Sequence, residues 1–91
     1  MKINIEKSFS KDVDKIKDKK LLQNLQNIIS SFENAKSLKE IPHIKKIKGF
    51  KFFYRIKVGD YRLGMELNPN KSVSLVRFLH RKEIYRFFPS K

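Results

Sequence analysis

The sequence predicts an α+β domain. Two N-terminal helices pack on one face of a small, mainly antiparallel sheet, in the order β-α-α-β-β-β with a short C-terminal helix or turn. Three observations predict it. Apolar residues recur at helical spacing through the first third of the chain. From Phe50 onward the apolar period changes to two. Two groups of turn residues, Gly59-Asp60 and Asn68-Pro69-Asn70, divide that second region into strands.

The segment Lys2–Glu6 alternates Ile3 and Ile5 with polar neighbours and reads as a short strand. Ser8 or Ser10 offers an N-cap to a first helix, with Asp12 in its first turn and Phe9, Val13 and Ile16 at helical spacing. Asp18 can cap a longer helix. Its Leu21, Leu22, Leu25, Ile28, Ile29 and Phe32 stand at offsets 0, 1, 4, 7, 8 and 11. That is an amphipathic stripe about three turns long, and it belongs to the core. Ser37–Gly49 reads as a connector punctuated by Pro42 and Gly49. Its lysines, Lys39, Lys45, Lys46 and Lys48, suit either a solvated loop or a polyanion contact.

Phe52, Tyr54, Ile56 and Val58 then alternate with Phe53, Arg55 and Lys57, and Tyr61, Leu63, Met65 and Leu67 alternate with Arg62, Gly64 and Glu66. Gly59-Asp60 between them is a two-residue hairpin turn. Ser72–Leu79 is apolar on both faces and reads as an interior third strand. His80–Phe88 closes the chain as a short helix or turn.

Ninety-one residues make one domain, spanning 1–91. A chain this short buries only about 60–65% of its unfolded surface, so its functional surface is an open face or shallow groove. The absence of cysteine removes disulfides, a thiolate nucleophile and the common zinc sites, and two histidines, His43 and His80, argue against a metal centre. No cofactor is expected. No apolar leader opens the chain and no run of about 18 apolar residues occurs, which implies a cytoplasmic protein without a membrane partner.

Charge points to the ligand. Twenty-two Lys+Arg against nine Asp+Glu give a net +13, a field that attracts polyanions. Nucleic acid is the first candidate and an acidic protein the second. All five arginines (Arg55, Arg62, Arg77, Arg81 and Arg86) lie in the last 37 residues. The planar fork of arginine suits phosphate.

The Gly59-Asp60 hairpin opposes Val58 with Tyr61, Lys57 with Arg62, Ile56 with Leu63, and Arg55 with Gly64. Tyr54, Ile56, Val58, Tyr61, Leu63 and Met65 then pack under the helices, while Arg55, Lys57 and Arg62 share the other face. Like charges directly opposed on a sheet are destabilising, and a bound anion would relieve them. Gly64, opposite Arg55, is expected to leave room for a ligand backbone. Arg77 is expected opposite Arg62, and Phe53 near the edge of this basic face. Cations with an aromatic suit single-stranded RNA.

The ending HRKEIYRFFP places His80, Arg81, Glu83, Tyr85 and Arg86 within one short segment. Acid/base groups beside cations fit attack of a ribose 2′-OH on its own phosphate. Arg62 and Arg81 can stabilise the developing charge. Histidine is the side-chain type that titrates near neutrality. A tyrosine can serve where neighbouring cations stabilise its phenolate, and a lysine where neighbouring cations disfavour its charge. Lys57, His80 and Tyr85 are therefore all candidates to move the proton.

The stretch KKIKGFKFFYRIKVGDYRLGMEL followed by VRFLHRKEIYRFFP resembles the RelE/ParE superfamily of toxins from type II toxin–antitoxin systems. The matching pieces are the lead-in Lys45–Gly49, the strand Tyr54–Val58, the GDYRL turn and strand, and the HRKEIY ending. The opening FSKDVDKIKD fits the family's first helix. The resemblance implies a RelE-like mRNA interferase. Such an enzyme cleaves mRNA in the A site of the 30S ribosomal subunit without metal, leaving a 2′,3′-cyclic phosphate and a 5′-hydroxyl. It also implies a cognate antitoxin partner. The family's basic strand pair falls on Arg55 and Lys57, its hairpin arginine on Arg62, its late-strand arginine on Arg81 and its C-terminal tyrosine on Tyr85. Arg55 stands where the mRNA cutters place a lysine, and the spacing from Arg81 to Tyr85 is shorter than in the type member. A ParE-like DNA gyrase inhibitor without nuclease activity, or a degenerate antitoxin-binding homologue, remains the alternative.

Overall fold

A computed structural model describes residues 1–89. Five strands form one sheet in the order β1-β5-β4-β3-β2. They are β1 (Ile3–Ile5), β2 (Ile44–Lys46), β3 (Phe53–Val58), β4 (Tyr61–Leu67) and β5 (Val73–His80). All pairings are antiparallel except β1 with β5. Helices α1 (Lys7–Asp14) and α2 (Lys19–Ser31) follow β1, and a short α3 (Ile84–Phe87) ends the chain. This is the predicted α+β architecture.

One strand was hidden in the connector. Ile44–Lys46 pairs with Tyr54–Ile56 as β2, and a short 3-10 helix, Leu38–Glu40, precedes it. Three residues are too few for a visible period of two. The cap of α1 also differs from expectation. Its N-cap is Glu6, whose side chain caps nothing. Ser8 lies inside the helix and its hydroxyl donates to the Val76 carbonyl. The cap of α2 is as predicted: Asp18 Oδ1 accepts from the backbone N–H of Lys20 and Leu21, at 3.0 and 3.1 Å.

The helical stripe and the inner sheet face make the core. Phe9, Leu25, Phe32, Ile56, Val58, Leu63, Met65, Val73, Leu75 and Phe78 are buried together. The hairpin register is the predicted one, from Val58↔Tyr61 to Arg55↔Gly64. Gly59 has φ +60 while Asp60 stays at negative φ, which is the type II′ pattern with glycine first.

The β4–β5 register departs from expectation. Arg77 faces Gly64, and Arg62 faces Leu79. Two extra residues cause the shift. The loop between Leu67 and Val73 runs from Asn68 to Ser72, and a bulge at Gly64/Met65 leaves Val76 without a partner residue.

Candidate functional site

The outer sheet face is not open. Ile84 and Phe88 are buried, and the Phe88 ring lies over Gly64, where an added Cβ would sit 2.6 Å from Phe88 Cδ2. Gly64 therefore makes room for the chain's own C-terminal segment, not for a ligand backbone. Phe53 is held there too, edge-on to Phe88 at 5.5 Å and to Phe50 at 5.5 Å. Its ring braces this packing rather than standing open to a base.

Arg77 is also committed. Its Nε and Nη2 donate to the two carboxylate oxygens of Asp12 at 2.8 and 2.9 Å, and the Phe78 N–H donates to the same carboxylate at 2.9 Å. Asp12 is 6% exposed. The Arg77 guanidinium also lies 5.3 Å from the centre of the Phe87 ring. Arg77 thus ties α1 to β5 and α3, and the charge counted towards a phosphate site has a partner inside the fold.

Lys57 and Arg62 do oppose each other. The fold relieves part of their repulsion itself. Arg62 Nη1 donates to the carbonyls of Gly59 and Tyr61, both at 2.9 Å, so the guanidinium bends back over the hairpin turn while Lys57 stays exposed. Arg81, the residue after β5, meets the same turn. Its N–H donates to the Asp60 carbonyl at 2.7 Å, and its Nε stands 4.0 Å from Asp60 Oδ1. The two arginines assigned to a developing phosphorane are thereby gathered at Gly59–Asp60.

The remaining candidates separate. Tyr85 projects from α3, 60% exposed, and lines a groove with Lys45, Lys46, Ile47, Lys48 and Arg55. His80 lines a different pocket, with Asp12, Lys15, Ile16, Tyr61 and Glu83. Its ring stands edge-on to Tyr61 at 5.7 Å, and its Nδ1 accepts the Lys82 N–H at 3.1 Å. A neutral imidazole accepting at Nδ1 carries its proton on Nε2. Adjacency in sequence does not make His80 and Tyr85 one site.

The lysines left undecided by sequence, Lys45, Lys46 and Lys48, flank Tyr85 and Arg55 because β2 pairs with β3 and brings Lys45 opposite Arg55. The signal was the short Ile-Lys-Lys-Ile run at 44–47, too brief to read as a strand. Among the described residues no group of three or more His, Asp or Glu could hold a metal ion, and no helix is long and apolar enough to cross a membrane.

A basic sheet face roofed by a C-terminal helix with an exposed tyrosine, on this strand order, defines a class. The chain belongs to the RelE/ParE superfamily of type II toxin–antitoxin toxins. The family described as ParE toxin of type II toxin-antitoxin system, parDE, matches residues 3–85. The sequence is 40% identical over 90 residues to Toxin RelE3 of Methanocaldococcus jannaschii, covering 98% of this chain and all of the relative. The fold matches a chain of a RelB-RelE antitoxin-toxin complex from Methanococcus jannaschii with a TM-score of 0.80 and 38% identity, over 94% of this chain and 99% of that one. The E. coli DinJ-YafQ complex shares the fold at a TM-score of 0.63 and 21% identity, over 91% and 96% of the two chains.

Proposed function

We propose that this toxin is a metal-independent, ribosome-dependent mRNA endoribonuclease. The observation that carries the reading is the grouping of Tyr85 with Arg55, Lys45, Lys46 and Lys48 in one groove. Cations there would hold RNA phosphates beside the Tyr85 hydroxyl.

In this reading the ribose 2′-oxygen bonds to the adjacent phosphorus and the bond from phosphorus to the 5′-oxygen breaks. A base takes the 2′-OH proton and an acid protonates the leaving 5′-oxygen, giving a 2′,3′-cyclic phosphate and a 5′-hydroxyl. Arg62 and Arg81 at the hairpin turn stabilise the charge on the phosphorane. Lys57 and Tyr85 are the preferred proton-transfer groups, because His80 faces another pocket and is already bonded at Nδ1. The ribosome supplies mRNA in a fixed path, which shallow grooves on a small domain cannot do alone. The work is done in the cytoplasm. A cognate antitoxin neutralises the toxin, a reading supported by the RelB-RelE complex that contains a 38% identical chain.

The matching ParE family favours one alternative, a DNA gyrase inhibitor that cuts nothing. Tightly controlled expression with mapping of 5′ ends on cellular mRNA separates the two. New 5′-hydroxyl ends inside translated messages are expected. Intact mRNA accompanied by an SOS response would overturn the nuclease.

A further inference from the structure

Four features of the stretch 46–53 point the same way. The Phe50 N–H donates to the Ile47 carbonyl at 3.1 Å, closing a turn in which Gly49 has φ +88 at the position a type II turn reserves for glycine. The Ile47 N–H donates to the Phe53 carbonyl at 2.9 Å, fixing the turn to the start of β3. Phe50 stands 38% exposed, yet its ring is braced edge-on against Phe53, itself braced against Phe88. Finally, the groove at this turn is lined by Lys46, Ile47, Lys48, Gly49, Phe50 and Lys51, and it shares Lys46, Ile47 and Lys48 with the groove of Tyr85.

Lys46 and Lys48, which line both grooves, thus stand between Tyr85 and an exposed, pre-positioned aromatic ring. A rigid ring among lysines suits a nucleobase: stacking needs little further ordering, and lysines hold the linking phosphates whatever the sequence. An acidic protein segment would use the lysines but has less need of a braced ring face.

We propose that the turn Ile47–Phe50 is a second nucleotide subsite, in which Phe50 stacks a base of single-stranded RNA and Lys46 and Lys48 hold the phosphates that connect it to the nucleotide at Tyr85. The inference rests on the nuclease reading and extends it to a flanking nucleotide. Its physical consequence is that a nucleotide flanking the cut adds binding energy at Phe50 with little dependence on its base.

Fluorescence anisotropy with a labelled 2′-O-methyl RNA hexanucleotide, which lacks the attacking hydroxyl, tests this by binding alone. Phe50→Ala should weaken binding at least about fivefold, and Phe50→Trp should restore it. Lys48→Ala should lower the slope of log affinity against log salt by about 0.7, the share of one single-strand phosphate. Unchanged affinity in Phe50→Ala, with the parent chain binding RNA, would overturn the subsite and leave the nuclease reading standing. Failure of the parent chain to bind RNA would overturn the subsite, while the ribosome-dependent nuclease reading is decided separately by the 5′-end mapping. Unchanged RNA binding with lost antitoxin binding would assign the turn to a protein partner and overturn the subsite. Circular dichroism of each variant checks that the fold is intact.

Discussion

The ring of Phe88 occupies the space that a side chain at Gly64 would need, within 2.6 Å of an ideal Cβ. This pair fixes where the C-terminal segment lies, and therefore where Tyr85 stands. Gly64→Ala should cost about 1–3 kcal/mol in urea unfolding, because the ring must shift in a packed environment. In a Phe88→Ala background the same change should cost clearly less. Equal costs in both backgrounds would mean that the pair does not hold the segment.

The Asp12 carboxylate satisfies both the Arg77 fork and the Phe78 N–H from a nearly buried position. Asp12→Ala should lower stability by about 3 kcal/mol, since it strands a cation and a backbone donor together. Arg77→Ala should act mainly on thermal stability and leave the salt slope of RNA binding unchanged. A slope reduced as much as by Arg55→Ala would return Arg77 to the phosphate site.

Tyr85→Phe and Arg81→Ala should each abolish mRNA cutting while far-UV circular dichroism stays native. His80→Gln should keep cutting within a few fold, because His80 lines a pocket apart from the Tyr85 groove. The check is 5′-end mapping after induction of each variant. Full activity in both Tyr85→Phe and Arg81→Ala would reject the site.

Lys57 faces Arg62 across the hairpin. Lys57→Thr should raise stability by a few tenths of a kcal/mol, by removing a like-charge pair, and should weaken RNA binding. Chemical denaturation and anisotropy on the same preparation read both effects. A variant that binds RNA as well as the parent would remove Lys57 from the phosphate set.

The antitoxin should cover the exposed side of α3, where Tyr85 and Phe87 are 60% and 44% exposed. It is expected to lie over or displace part of the segment 80–91, of which Ser90 and Lys91 lie outside the described residues. Amide hydrogen exchange of the toxin with and without its antitoxin should show protection centred on Ile84–Phe87. Unchanged exchange there would place the antitoxin elsewhere.

The local sequence determined the helical stripe, the Asp18 cap and the β3–β4 hairpin with its register. Each is specified within a few residues: a period of 3.6, a carboxylate before a helix, or a glycine that takes positive φ in a two-residue turn. The face carrying Arg55, Lys57 and Arg62 followed from that hairpin alone. Only the tertiary structure decided the rest. A five-residue loop and a bulge moved Arg77 from Arg62 to Gly64, and a carboxylate 65 residues away in the chain claimed its charge. β2 became visible only through its pairing with β3, which set three lysines beside Tyr85. Gly64 was legible as a missing side chain, but what fills the space comes from the end of the chain. Non-local register and packing depend on how the whole chain closes, and no period of two or 3.6 encodes that.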